Sequence, residues 1–233
     1  MHHQSALKSD LLSDLYAKEA HKHTTLKDCR PSIERQKILS KLVPTNAFLL
    51  DVGCWNGTFR QFLRNADYVG IDINWQALKK AKEKRIEVLM ASCDYLPFRN
   101  EVFDACSMIE VIEHLYFPEK TLREVHRVLK KDGKLILATP NFVNFADRFN
   151  MLLGKHPIAG TTHQHIRFFT WKTLNALLEK CGFKLEKRES WFIPFPARTI
   201  VRKLPRWRKL MRKTARFFPN LDEGLLGKWI KIS

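Results

Sequence analysis

The sequence predicts an α/β fold: one mostly parallel sheet of about seven strands, helices on both faces, and an antiparallel strand at one edge. Three observations carry that prediction. Short continuous apolar runs of the kind buried parallel strands need recur along the middle of the chain, segments of helical period separate them, and the composition suits one continuous core. The 233 residues are 45% hydrophobic and 11% aromatic with 9 Gly and 10 Pro, which excludes a disordered tail, a coiled-coil rod and a disulfide miniprotein.

Residues 1–30 are polar with a weak helical pattern through Leu7, Leu11, Leu12 and Leu15, and are expected to form an N-terminal helical appendage. From residue 31 onward one domain is expected, opening with a helix whose stripe is Ile33, Ile38, Leu39 and Leu42 and which stops at Pro44-Thr45-Asn46. Strands are expected at Ala47 to Leu50 running into Asp51-Val52-Gly53, then at 68–72, 86–90, 103–109 and 134–139. A helix starts at Pro118, carries Leu122, Val125, Val128 and Leu129, and is expected to close with the cations Lys130-Lys131 and with Asp132-Gly133. Residues 141–168 lack a strong period, and 143–168 are expected to be an active-site loop, because long loops in compact domains are usually functional. Thr170 is expected to cap a helix bearing Leu174, Leu177, Leu178 and Cys181 that ends before Gly182; 183–192 and 225–232 complete the sheet as an antiparallel pair. No internal repeat is visible.

Lys and Arg number 41 against 24 Asp and Glu, a net charge of +17, so the surface attracts polyanions without choosing among nucleic acid, anionic lipid and acidic substrates. Cys29, Cys54, Cys93, Cys106 and Cys181 form no C-x-x-C pair and read as reduced thiols. With no secretory pattern at the N-terminus and no apolar run near the ~18 residues of a membrane span, the expected location is cytoplasmic, with peripheral membrane association.

Chemistry enters with Asp51-Val52-Gly53-Cys54-Trp55-Asn56-Gly57, a strand running into a glycine-marked turn and then a helix, which brings backbone N–H groups to the carboxyl edge of the sheet. Asp72 ends the next strand, where a carboxylate accepts hydrogen bonds from a ribose diol; capping the following helix is its alternative role. These residues, with Gly70-Ile71-Asp72, Leu96-Pro97-Phe98, Phe103-Asp104, Glu110-Val111-Ile112-Glu113-His114, Ala138-Thr139-Pro140-Asn141 and His165-Ile166-Arg167-Phe168-Phe169-Thr170, resemble the class I S-adenosylmethionine-dependent methyltransferases. The resemblance runs from about Pro31 to Glu189 and implies a doubly wound, Rossmann-like sheet binding S-adenosyl-L-methionine. It implies that Asp51, Gly53, Cys54 and Gly57 shape the methionine end of the cofactor site, with Glu110 beside them. Asp72 and Ile73 then border the ribose, and Ser92, Cys93 and Asp94 flank the adenine. Trp55 stands where such proteins often carry a second glycine, and Ser92 where they often carry an aspartate.

Glu110, Glu113 and His114 follow a strand expected to end beside the transferred methyl, and His165, with His163 nearby, lies in a segment that can fold back over that edge. Carboxylates and imidazoles converging on one point suit either a general base or a divalent metal such as Mg or Mn that lowers the pKa of an acceptor hydroxyl. The Glu-x-x-Glu-His pattern resembles the O-methyltransferases of ubiquinone biosynthesis and the small-RNA 2′-O-methyltransferases, which implies Glu110, Glu113, His114 and His165 as the catalytic and metal set. The alternative makes Glu113 a helix cap, with His114 packed under the loop or acting as a metal-free base; His21, His23, His126 and His156 read as solvated or surface histidines. Residues 197–216 hold nine cations and no acid, with Ile200, Leu204, Trp207 and Met211 near helical spacing. They are expected to form a basic amphipathic lid meeting an anionic membrane or RNA. O-methylation of a small or lipid-like acceptor is the expected function; the alternatives are RNA 2′-O-methylation and a non-catalytic protein that binds anionic surfaces.

Overall fold

The computed structural model describes residues 32–157, 165–193, 211 and 213–232. The N-terminal appendage at 1–30, His163, and residues 197–210 and 212 of the basic segment lie outside them.

The 7-stranded sheet has the order β3-β2-β1-β4-β5-β7-β6. Its strands are β1 (Ala47–Val52), β2 (Ala66–Asp72), β3 (Val88–Met90), β4 (Phe103–Ile109), β5 (Leu129–Pro140), β6 (Phe183–Glu189) and β7 (Gly224–Lys231). β1 to β5 pair in parallel, and β7 is inserted antiparallel between β5 and β6. Strand order reverses between β1 and β4, so a ligand crevice is expected at their carboxyl ends.

The period of two distributes the core over both faces. Leu50, Val52, Cys106, Met108, Leu135 and Leu137 face one side, against Leu122, Val125 and Val128 of α3 (Pro118–Val128) and Leu174 and Leu178 of α5 (Trp171–Lys180). Leu49, Ala105, Ile136 and Ala138 face the other, against Ile38 and Leu39 of α1 (Ile33–Ser40) and Phe59 of a short 3-10 turn. Along the β2–β3 side runs α2 (Trp75–Glu83). Thr170 caps α5 as expected, in a reciprocal pair with Thr173.

Several expected elements differ. α3 stops at Val128, because fully buried Leu129 opens β5 opposite Phe103; Lys130, Lys131, Asp132 and Gly133 therefore belong to the strand, and Arg127 is the cation of the last turn. The glycine turn leads into only the 3-10 turn Thr58–Phe62, since β2 begins at Ala66 and leaves no room for an α-helix. The expected loop contains α4 (Phe145–Leu152), capped by the Asn144 side chain accepting from Asp147 N–H. His126 is a half-exposed surface histidine that stacks edge-on against Phe183 at 5.4 Å, with its Nε2 3.0 Å from the Ile232 carbonyl.

Arg127 secures the segment that leads into β4. Its guanidinium donates to both Glu124 oxygens at 2.8 and 2.7 Å, to the carbonyls of Phe98 at 2.8 Å and Leu96 at 3.0 Å, and to Asn100 at 2.9 Å. Lysine cannot reproduce that planar fork. Arg127→Lys is expected to destabilise the fold by about 1–2 kcal/mol, read as a lower midpoint in denaturant.

Candidate active site

The carboxyl ends of β1 and β2 are tied into one turn. Gly53 and Cys54 N–H both donate to the Ile71 carbonyl at 2.9 Å, and Trp55 N–H donates to Asp72 Oδ2 at 2.8 Å. Gly53 has φ +73°, and a side chain there would collide with Val111 across the β1–β4 crevice; both facts demand glycine. Trp55, at the position where the resemblance expects glycine, adopts the same left-handed region at φ 50°. Its side chain thus costs on the order of 1–2 kcal/mol of backbone strain while preserving the turn.

Asp72 is not the helix cap. Asn74 is, its side chain accepting from Ala77 N–H at 3.0 Å, while Asp72 Oδ1 accepts from Asn74 N–H at 2.8 Å. Burial raises the Asp72 carboxyl above its ordinary value, and the N–H groups of Asn74, Trp55 and Ile73 lower it. An ionised carboxylate offers about four acceptor sites, so these contacts orient it and leave capacity for a ligand diol. Ile73, Trp75 and Tyr95 stand exposed beyond this edge, with Lys120 Nζ 3.5 Å above the Tyr95 ring. At the adenine-flanking segment, Ser92 Oγ accepts from Asp94 N–H at 3.2 Å and Asp94 Oδ1 accepts from Thr121 at 2.5 Å; burial pushes the Cys93 thiol up to about 12.

Asp51 lies deeper than a contact residue. Its register partner Ser107 donates to Oδ1 at 2.7 Å and Tyr68 donates to Oδ2 at 2.8 Å, leaving the residue 3% exposed. The Cys54 thiol is also buried, packed against Gly70, and is pushed up by burial and by Asp51. Burial raises the Asp51 carboxyl from 3.8 to about 6, against the lowering effect of both hydroxyls. A raised native value means the folded state holds the proton longer, so this contribution is complete below 3.8 and is lost as pH rises through about 6. Asp51→Asn, which keeps both hydroxyl contacts by hydroxyl rotation, is expected to remove that loss. Between pH 4 and 7 its stability, followed in denaturant, should gain roughly 2–3 kcal/mol relative to the unsubstituted chain.

Four catalytic residues were expected to converge, and three do. Ligand atoms of Glu113, His114 and His165 lie within 4.8 Å of one another, and the two imidazole rings are 4.9 Å apart. The fold-back expected of the later loop is present: Ile166 and Arg167 N–H donate to the Glu113 carbonyl at 3.0 and 3.1 Å, and Arg167 Nε donates to the Leu115 carbonyl at 2.9 Å. Glu113 sits in a 3-10 turn and caps no helix, Phe117 holding the cap position of α3. Its Oε2 accepts from Thr139 at 2.9 Å, while its buried Oε1 has no hydrogen-bond partner among the described residues and lies 4.0 Å from His114 Nε2. Burial raises the Glu113 carboxyl well above its ordinary range, as does the charge of Glu110, against the lowering effect of Thr139 and Arg35.

Glu110 stands apart from this cluster. It occupies the left-handed region at φ 58° at the end of β4, and its Oε1 pairs with Arg35 of α1 at 3.1 Å. Sequence reasoning missed Arg35, Tyr68, Ser107, Thr121 and Thr139. A polar residue inside an apolar strand run marks Ser107, but nothing local marks Arg35.

Residues 50–137 match the profile of a methyltransferase domain family. That match spans β1 to β5, and together with the sheet order it makes the chain similar to the class I S-adenosylmethionine-dependent methyltransferases. In sequence the chain is similar to an uncharacterised protein of Methanocaldococcus jannaschii, 39% identical over 111 residues, 47% of this chain and 43% of that protein. It is also similar to the tRNA (carboxymethyluridine(34)-5-O)-methyltransferase of Arabidopsis thaliana, 33% identical over 41% of this chain and 24% of that protein. The chain thus spans less than half the length of these relatives. In structure it resembles a methyltransferase of Thermotoga maritima with TM-score 0.63, at 18% identity over 86% of this chain and 88% of that one, a likeness of fold.

Proposed function

We propose that this chain transfers a methyl group from S-adenosylmethionine to an oxygen of a small or lipid-like acceptor. The observation that carries the cofactor half is the Asp72 carboxylate, oriented by Trp55 and Asn74 N–H rather than spent on a helix cap. When bound, S-adenosylmethionine supplies an electrophilic methyl for in-line displacement. Asp72 would accept the ribose hydroxyls, the Gly53 to Gly57 turn would border the methionine end, and Asp51 would support that turn from below. Trp55 would form a wall, and the Ser92 to Asp94 segment, held by Thr121, would border the adenine.

For the acceptor, Glu113, His114 and His165 form the basic cluster nearest the β4 edge. Two imidazoles and a buried carboxylate oxygen that has no hydrogen-bond partner among the described residues fit a divalent ion, and that donor set suits Mn better than Mg. These three residues would hold it, and when bound it would supply Lewis-acid stabilisation of an acceptor alkoxide. Glu110, paired with Arg35, then contributes charge beside the site rather than a ligand.

RNA methylation is the second reading, favoured by the charge of +17 and by the similarity to a tRNA O-methyltransferase. Neither reading depends on residues 197–216, although their nine cations would strengthen either partner. The test is transfer of label from methyl-labelled S-adenosylmethionine into separated lipid, small-molecule and RNA fractions. Label in the lipid or small-molecule fraction supports the first reading, label confined to RNA replaces it with the second, and no label in any fraction favours the non-catalytic alternative.

A further inference from the structure

α4 follows β5, whose Thr139 donates to Glu113, and among the described residues only its first turn is buried. Ala146 and Asp147 are buried, and Asn144 Nδ2 donates to Asp147 Oδ2 at 2.6 Å, so the acid of this helix is turned into the interior. The far end is the reverse. Phe149 is 40% exposed, Met151 39%, Leu152 82% and Leu153 53%. Phe149, Leu152 and Leu153 share one face at i, i+3 and i+4. Arg148, Lys155 and His156 are also exposed, and no acid occurs from 148 to 156. These four large apolar side chains, flanked by the cations Arg148 and Lys155, form an exposed tip among the described residues.

We propose that this tip docks the protein on an anionic lipid surface, with Leu152 and Leu153 entering the headgroup boundary and Arg148 and Lys155 meeting lipid phosphates. The charge favours lipid over a second copy of this chain, because two tips of like charge on molecules of net charge +17 repel. Phe168, exposed next to Arg167, whose N–H donates to the Glu113 carbonyl, meets Phe142 at 4.7 Å, two residues before the Asn144 cap of α4, so the start of this helix lies near the cluster. The docking is independent of catalysis; its use in presenting a lipid-like acceptor rests on the methyltransferase reading above.

Flotation of the full chain with phosphatidylglycerol/phosphatidylcholine vesicles and with phosphatidylcholine vesicles tests the surface. Binding is expected to the anionic vesicles only, with the partition coefficient lowered at least about tenfold by the double substitution Leu152→Glu, Leu153→Glu and about fivefold by Lys155→Glu. Cofactor affinity, measured calorimetrically on the same variants, should stay unchanged, which separates lost docking from a damaged fold or a wrong assignment of the cofactor. Equal partition of the double variant and the unsubstituted chain would overturn the proposal, as would absence of vesicle binding. A concentration-dependent dimer that the double variant abolishes would assign the tip to self-association instead.

Discussion

Asp72→Ala is expected to weaken S-adenosylmethionine binding by on the order of 2 kcal/mol, about thirtyfold, since a largely buried ribose diol would lose a charged acceptor. The substitution also frees Trp55 and Asn74 N–H, the two donors that Asp72 holds at 2.8 Å, so the turn that borders the methionine end loosens with it. Asp72→Asn separates the contributions, because its amide oxygen still accepts one N–H while the charge is gone; it should fall between the two in a calorimetric titration. An Asp72→Ala protein that binds as tightly as the unsubstituted chain would remove Asp72 from the site.

The larger effect is expected on turnover. Glu113→Gln, and the double substitution His114→Ala, His165→Ala, should each lower methyl transfer by roughly 10²–10⁴-fold while leaving cofactor affinity intact, as expected for groups that activate the acceptor. Chelation should do the same and Mn should restore the rate, whereas Glu110→Gln should cost less, since Glu110 pairs with Arg35 outside the cluster. Full activity of the double variant in the presence of chelator would move activation of the nucleophile elsewhere in the chain. A rate indifferent to chelator but lost in the double variant would leave a histidine base acting alone.

What the sequence makes legible is what local chemistry decides. The apolar runs of β1, β4 and β5 announce buried strands, Thr170 announces the start of α5, and the position of Asp72 after Gly70-Ile71 announces the end of β2. α4 escapes such reading because it buries only its first turn, and its apolar face at Phe149, Leu152 and Leu153 is exposed rather than packed on the core; Asn144 with Asp147 was the available cap signal. The end of α3 was misplaced because Leu129 continues the helical period while its burial opposite Phe103 belongs to the sheet. The site divides in the same way. Glu113 and His114 adjoin in sequence and the motif around His165 marks the residue that joins them, while the bonds from Ile166 and Arg167 N–H to the Glu113 carbonyl that hold it there are tertiary. The withdrawal of Glu110 depends on Arg35 arriving from α1, a tertiary contact without a local signature.

The central claim is that the crevice at the carboxyl ends of β1, β2 and β4 holds S-adenosylmethionine. Calorimetric titration of the full chain with S-adenosylmethionine and, separately, with NAD tests it most directly. One site is expected for S-adenosylmethionine, with NAD binding undetected at the same concentrations. Preference for NAD, or no heat with S-adenosylmethionine under conditions where the chain remains folded, would contradict the account.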